Sequence, residues 1–131
     1  MILVVGGQGA GKKEYVRSLG YAETDCTVSL SDEHPVLLEL HVILRKTPQD
    51  AENILPALLR KDVVVCNEVG CGIVPMDAGE RAWRDRVGRI CALLAAKADR
   101  VVRVCCGIPV CIKGGDVKDI CLRTPGHKGI A

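Results

Sequence analysis

Along the chain, short apolar runs of strand length alternate with stretches whose apolar positions recur at helical spacing. Residues 1–5 and 62–66, the latter carrying Val63, Val64, Val65 and Cys66 in succession, are nearly continuous apolar runs of the sort buried on both faces of a parallel sheet. Two more strands are predicted at 100–106 and 108–113, and shorter ones at 25–30 and 36–40. The 36–40 strand belongs to an apolar stretch reaching Leu44 that Glu39 and His41 interrupt. A short helix is expected at 12–19, with Gly20 as its stop. Thr47-Pro48-Gln49-Asp50 combines a cap residue, a first-turn proline and an acid, so a helix should run to about Arg60, kinked or shortened by Pro56. Asp77 and Glu80 form a capping box for a further helix, whose apolar stripe is Trp83, Val87, Ile90, Cys91, Leu94 and Ala98. Its opposite face carries Arg81, Asp85 and Arg89 at four-residue spacing, read as an ion-pair ladder. Strands alternating with helices imply an α/β fold with a mainly parallel sheet and right-handed crossovers.

The turn after the first strand adds chemistry to this pattern. Gly6-Gly7-Gln8-Gly9-Ala10-Gly11-Lys12 joins a buried strand to a helix, the context in which a glycine-rich turn becomes a phosphate-binding P-loop. Successive backbone N–H groups there surround phosphate oxygens, Lys12 reaches the outer phosphates, and the helix N-terminus adds positive potential. A P-loop ordinarily continues with Ser or Thr, whose hydroxyl binds the magnesium carried by the nucleotide. This chain has Lys13, an ammonium with no lone pair for a cation. The fold expected is therefore three-layered and P-loop NTPase-like, with Gly6 to Lys13 as the nucleotide-binding residues.

Composition narrows the field. A chain of 131 residues suits one domain, taken as 1–113, followed by a polar, glycine-containing tail at 114–131 that includes His127. With 48% apolar and 26% charged residues it reads as globular. No run is long enough to span a bilayer and Met1 lacks a basic flank, so the expectation is a cytoplasmic protein without membrane insertion. The eight cysteines lie among apolar neighbours, and Cys66, Cys91, Cys105, Cys106 and Cys111 read as buried thiols rather than a disulfide scaffold. No zinc-type spacing is present, so no metal ligands are assigned. One Trp, two Tyr and no Phe cannot build a base-stacking platform, and nucleic acid is not expected as a partner.

Beyond the second apolar strand, Asn67-Glu68-Val69-Gly70-x-Gly72-Ile73-Val74-Pro75 is followed by Arg81, Arg84-Asp85, Gly88, Ala98-Asp99-Arg100-Val101 and Gly107-Ile108-Pro109-Val110-x-Ile112-Lys113. With the P-loop, these closely resemble the adenosylcobinamide kinase/adenosylcobinamide-phosphate guanylyltransferase family. The resemblance covers residues 1–20 and 63–113. It implies a homotrimer that phosphorylates the aminopropanol hydroxyl of adenosylcobinamide from ATP or GTP with Mg2+, then transfers GMP to that phosphate, in cobalamin biosynthesis. By position, Lys12 carries the transferring phosphates, Glu68 sits in the loop facing them, and Glu39 matches an acid that ends a central strand and serves magnesium.

The chain also departs from the family. A long segment holding a guanylyl-accepting histidine among basic residues is too short here, at 20–35, and neither His34 nor His41 has the matching surroundings. Cys91-Ala92 replaces Asn-Gln, and Lys13 replaces the hydroxyl. Guanylyl transfer is therefore expected to be lost. Three readings stay open: a divergent cobinamide kinase, a non-catalytic nucleotide-binding module that acts as regulator or partner of a complete enzyme, and a stand-alone nucleotide kinase with another acceptor. Each candidate residue also has a plain structural alternative. Glu68 could anchor a glycine loop, Glu39 could cap a turn, Lys13 could be solvated, and His41 could be a tolerated element residue.

Overall fold

The computed structural model describes residues 1–30, 33–46, 51–69 and 77–115. Among them, six strands form one sheet in the order β2-β3-β4-β1-β5-β6. β1 (Ile2–Gly6) lies at the centre and pairs in parallel with β4 (Val63–Asn67) and β5 (Arg100–Cys105). β2 (Cys26–Thr27) and β3 (Val36–Leu37) extend the parallel set beyond β4, and β6 (Ile108–Lys113) returns antiparallel to β5 as a hairpin. The expected α/β, three-layer fold with a mainly parallel sheet is the one observed.

The two faces of the sheet are covered separately. α1 (Lys12–Ser18) places Tyr15 and Val16 against Val4, Val63, Val65, Val102 and Val104. On the other face, Leu3, Val64 and Val101 pack with residues of α2 (Leu40–Lys46), α3 (Leu55–Leu59) and α4 (Ala78–Lys97). The alternation in β1, β4 and β5 thus feeds two cores, which is why residues 2–5, 63–66 and the Val101-Val102 pair of β5 are apolar in succession. α4 begins as its sequence predicts, with the Asp77 carboxylate accepting the Glu80 N–H at 3.2 Å. Its Val87, Ile90 and Leu94 are buried, while Arg81, Asp85 and Arg89 are exposed.

Three expectations need correction. The 36–40 strand stops at Leu37, because Leu40 and Leu44 are both buried at i, i+4 spacing, a helical period that prevails over strand propensity. Glu39 makes the change of direction with φ 58°, and its carbonyl accepts the Val42 and Ile43 N–H groups of the first helical turn. The 25–30 strand is reduced to Cys26–Thr27, since Asp25 belongs to a 3-10 turn and its carboxylate accepts the Ala22 N–H at 2.8 Å. The 47–60 helix becomes a 3-10 turn at Ala51–Ile54 followed by α3, with Pro56 in the first turn rather than at a kink. The cap expected at 47–50 lies outside the described residues.

The cysteines divide as well. Cys66 and Cys111 are buried and Cys91 is part-buried, but Cys105 and Cys106 are exposed because they occupy the end and turn of the β5–β6 hairpin. All six described cysteines are free thiols. Among the described residues no helix is long and apolar enough to cross a membrane. Most of the tail, 116–131, lies outside the described residues.

Leu94 is fully buried at the centre of the α4 stripe. Leu94→Ala is expected to lower the unfolding free energy by about 2–5 kcal/mol in urea titrations; a loss below about 1 kcal/mol would remove this stripe from the core.

Candidate functional site

At the C-terminal ends of β1 and β4, residues 8–14 face Leu38, Glu39, His41, Val65 and Asn67 across a cleft of about 400 Å³. That is the edge of a parallel sheet where ligands collect, and the volume is that of a small-molecule site. The turn forming one wall is shaped by backbone contact. A Cβ on Gly6 would lie 2.5 Å from the Val104 carbonyl, and one on Gly11, already at φ 103°, would lie 3.0 Å from the Gly107 Cα. No other residue type fits either position without moving β5 or the hairpin. Hydrogen bonds hold the turn from both sides: the Gly107 N–H donates to the Ala10 carbonyl at 2.7 Å, and the Glu68 N–H to the Gly6 carbonyl at 2.9 Å.

Lys12 is buried at the base of the loop, and its ammonium donates to the Gly7 carbonyl at 2.6 Å. Burial is the main influence pulling its pKa below the ordinary lysine value; the Glu68 carboxylate opposes that pull, while Lys13 reinforces it. Lys13 is exposed and lines the same cleft. The first α-helical bond of α1 runs from the Tyr15 N–H to the Gly11 carbonyl, so the N–H groups of the turn before it have no helical partner to donate to. The loop thus gathers two ammonium groups and a helix start, a constellation suited to an anion rich in oxygen acceptors.

Of the acids singled out in the sequence, Glu39 faces this cleft. Glu68 stands at the exit of β4 and is engaged elsewhere, forming a two-pronged pair with the Arg103 guanidinium at 2.8 and 3.1 Å. Its carboxylate is near enough to Lys12 to favour that ammonium, but is not among the groups lining the cleft. Residues 70–76, the rest of the loop that the resemblance sets facing the phosphates, lie outside the described residues.

His41, read from the sequence as a tolerated element residue, is a member of the cleft. His41 enters on the first turn of α2, where its Nδ1 accepts the Asn67 backbone N–H at 3.2 Å and its carbonyl accepts the Trp83 indole N–H at 2.8 Å. Asn67, the first residue of the motif that follows the second apolar strand, lines the cleft as well. The available signal for His41 was an imidazole inside the apolar 36–44 stretch, a position it keeps only when its polar atoms are satisfied. Behind it, Arg45 stacks 3.7 Å from the Trp83 ring centre and pairs with Glu80 at 3.0 Å, binding α2 to α4. Among the described residues no three His, Cys, Asp or Glu side chains cluster as metal ligands.

Burial, with Lys12 and Arg45 adding to it against the pull of Glu39, holds the His41 pKa below its ordinary 6.5. The unfolded chain therefore takes up a proton at this ring before the folded one does. Stability should be fully present above about pH 6.5 and fall as pH drops through the folded value. Urea midpoints between pH 8 and 5 should decline more steeply for the native chain than for His41→Asn; equal slopes would remove His41 as the cause.

Comparison with known proteins adds an identification. A family model described as cobinamide kinase / cobinamide phosphate guanyltransferase matches residues 24–112. The bifunctional adenosylcobalamin biosynthesis protein CobU of Salmonella typhimurium is 53% identical over 53 residues, which are 40% of this chain and 29% of the relative. The CobU of Escherichia coli is 51% identical over 53 residues, with the same coverage of 40% and 29%. The matched segment thus spans less than a third of either relative, and the P-loop at residues 6–12 precedes the family match.

Proposed function

The chain belongs to the cobinamide kinase / cobinamide phosphate guanyltransferase family, and we propose that it acts as a divergent adenosylcobinamide kinase-like protein of cobalamin biosynthesis, with guanylyl transfer lost. The observation that carries this reading is the cleft itself, where Lys12, Lys13 and the start of α1 converge opposite Glu39. In the reaction, the hydroxyl oxygen of the aminopropanol arm bonds to the terminal phosphorus of ATP or GTP. The bond from that phosphorus to the bridging oxygen breaks, the nucleoside diphosphate leaves, and the hydroxyl proton passes to a base.

Lys12, buried and held by the Gly7 carbonyl, is placed to stabilise charge on the phosphoryl oxygens. Glu39, on the wall opposite the lysines, is suited to orient the attacking hydroxyl and take its proton. Glu68 acts as a positioning residue: its pair with Arg103 fixes the segment that leaves β4 toward the acceptor. Magnesium arriving with the nucleotide would neutralise the outer phosphates. The residues present do not fit its usual loop site, because Lys13 offers an ammonium where a hydroxyl would ligate. Lys13 supplies positive charge in the metal's place. Trimer formation is proposed by family resemblance, and cytoplasmic location by the biosynthetic role.

A second reading, a nucleotide-binding module without turnover, is favoured by the same Lys13. Phosphate transfer from labelled ATP and GTP to adenosylcobinamide decides between them. Product should form and fall about a hundredfold or more in Lys12→Ala; tight nucleotide binding without product would establish the module. Lys13→Ser should make nucleotide affinity depend more strongly on magnesium, and an unchanged dependence would overturn this account of the substituted hydroxyl.

A further inference from the structure

His41 borders the phosphate cleft with one of its ring nitrogens already committed. The Asn67 backbone N–H can only donate, so the Nδ1 that receives it at 3.2 Å carries no proton. The neutral ring therefore holds its proton on Nε2 and has one polar group left, a donor. Its position is fixed from a second direction by the bond between its carbonyl and the Trp83 indole at 2.8 Å. Lys12, Arg45 and Glu39 are the charged groups acting on the ring, two cations against one carboxylate, and with burial they favour the neutral form.

The opposite wall of the cleft carries the Lys12 and Lys13 ammonium groups, two cations against the single Glu14 carboxylate. A ligand that satisfies that wall is an oxygen-rich anion, and an uncharged N–H adds a hydrogen bond to it without repelling the lysines. From this the geometry points to His41 as a ligand-contacting residue, its Nε2–H donating to a phosphoryl oxygen of the nucleotide held by the P-loop and closing the cleft from the α2 side. The inference rests on the nucleotide-phosphate reading of the cleft, and adds to it a neutral donor outside the loop.

The test uses the full chain with ¹⁵N-labelled histidine, titrated with ATP, GTP and inorganic tripolyphosphate without added metal. The ring nitrogens of the free protein should report the Nε2–H form, and the Nε2 signal should move with all three probes while Nδ1 keeps its hydrogen bond. His41→Asn retains an oxygen able to accept the Asn67 N–H but lacks a donor at the Nε2 position. Its affinity for tripolyphosphate should fall about tenfold or more, as for one hydrogen bond to a charged acceptor. His41→Gln, with an amide near that position, should recover part of the loss. If the native chain binds the probes while Nε2 stays unmoved and His41→Asn binds equally well, the proposal is overturned and the phosphate reading stands. If the native chain binds none of them, both fall. Should the variants fail to fold, the native ring signals decide alone.

Discussion

The site depends on how closely the glycine turn lies against the strand beside it. β1 ends in Gly6, where a side chain would collide with the Val104 carbonyl of β5, and the turn continues to Gly11, which faces the backbone of Gly107 across the hairpin. Because backbone meets backbone on that side, the turn is positioned by main-chain hydrogen bonds, from Gly107 to Ala10 and from Glu68 to Gly6. A loop held from two strands keeps its shape without a ligand, so little ordering entropy remains to be lost on binding. The antiparallel β6, which departs from the otherwise parallel sheet, has its place in this arrangement because the hairpin before it carries Gly107.

Electrostatics then divides the residues around the loop into separate tasks. Lys12 is desolvated and held by the Gly7 carbonyl, which is costly for a charge unless a compensating partner is at hand. Glu68 contributes part of that compensation at a distance while its carboxylate is tied to Arg103. Cys66 lies in the same neighbourhood, its thiol pushed up by the hydrogen bond with Cys91 and by burial, so it stays protonated and adds no charge beneath the lysine. On the facing wall, α2 is locked to α4 through Arg45, Glu80, Trp83 and the Arg86 bond to the Leu44 carbonyl. Those contacts set where Glu39 and His41 stand. The helix that reads as a structural cover is thereby also the mount for half of the cleft.

What the sequence determined by itself is what depends on local chemistry. Continuous Val-rich runs specified the central strands, Asp77 and Glu80 specified the start of α4, and the glycines with Lys12 specified the phosphate-binding turn, because each is a matter of neighbouring residues. Tertiary structure decided the rest. Whether 36–44 became strand or helix turned on the burial of Leu40 and Leu44 against distant elements, and the outcome carried His41 into the cleft. Glu68 acquired Arg103 as a partner from a strand 35 residues away, and Cys105 and Cys106 reached the surface because a hairpin turn fell on them. Those outcomes depend on the free energy of contacts between segments far apart in the chain, which no local pattern of residue types encodes.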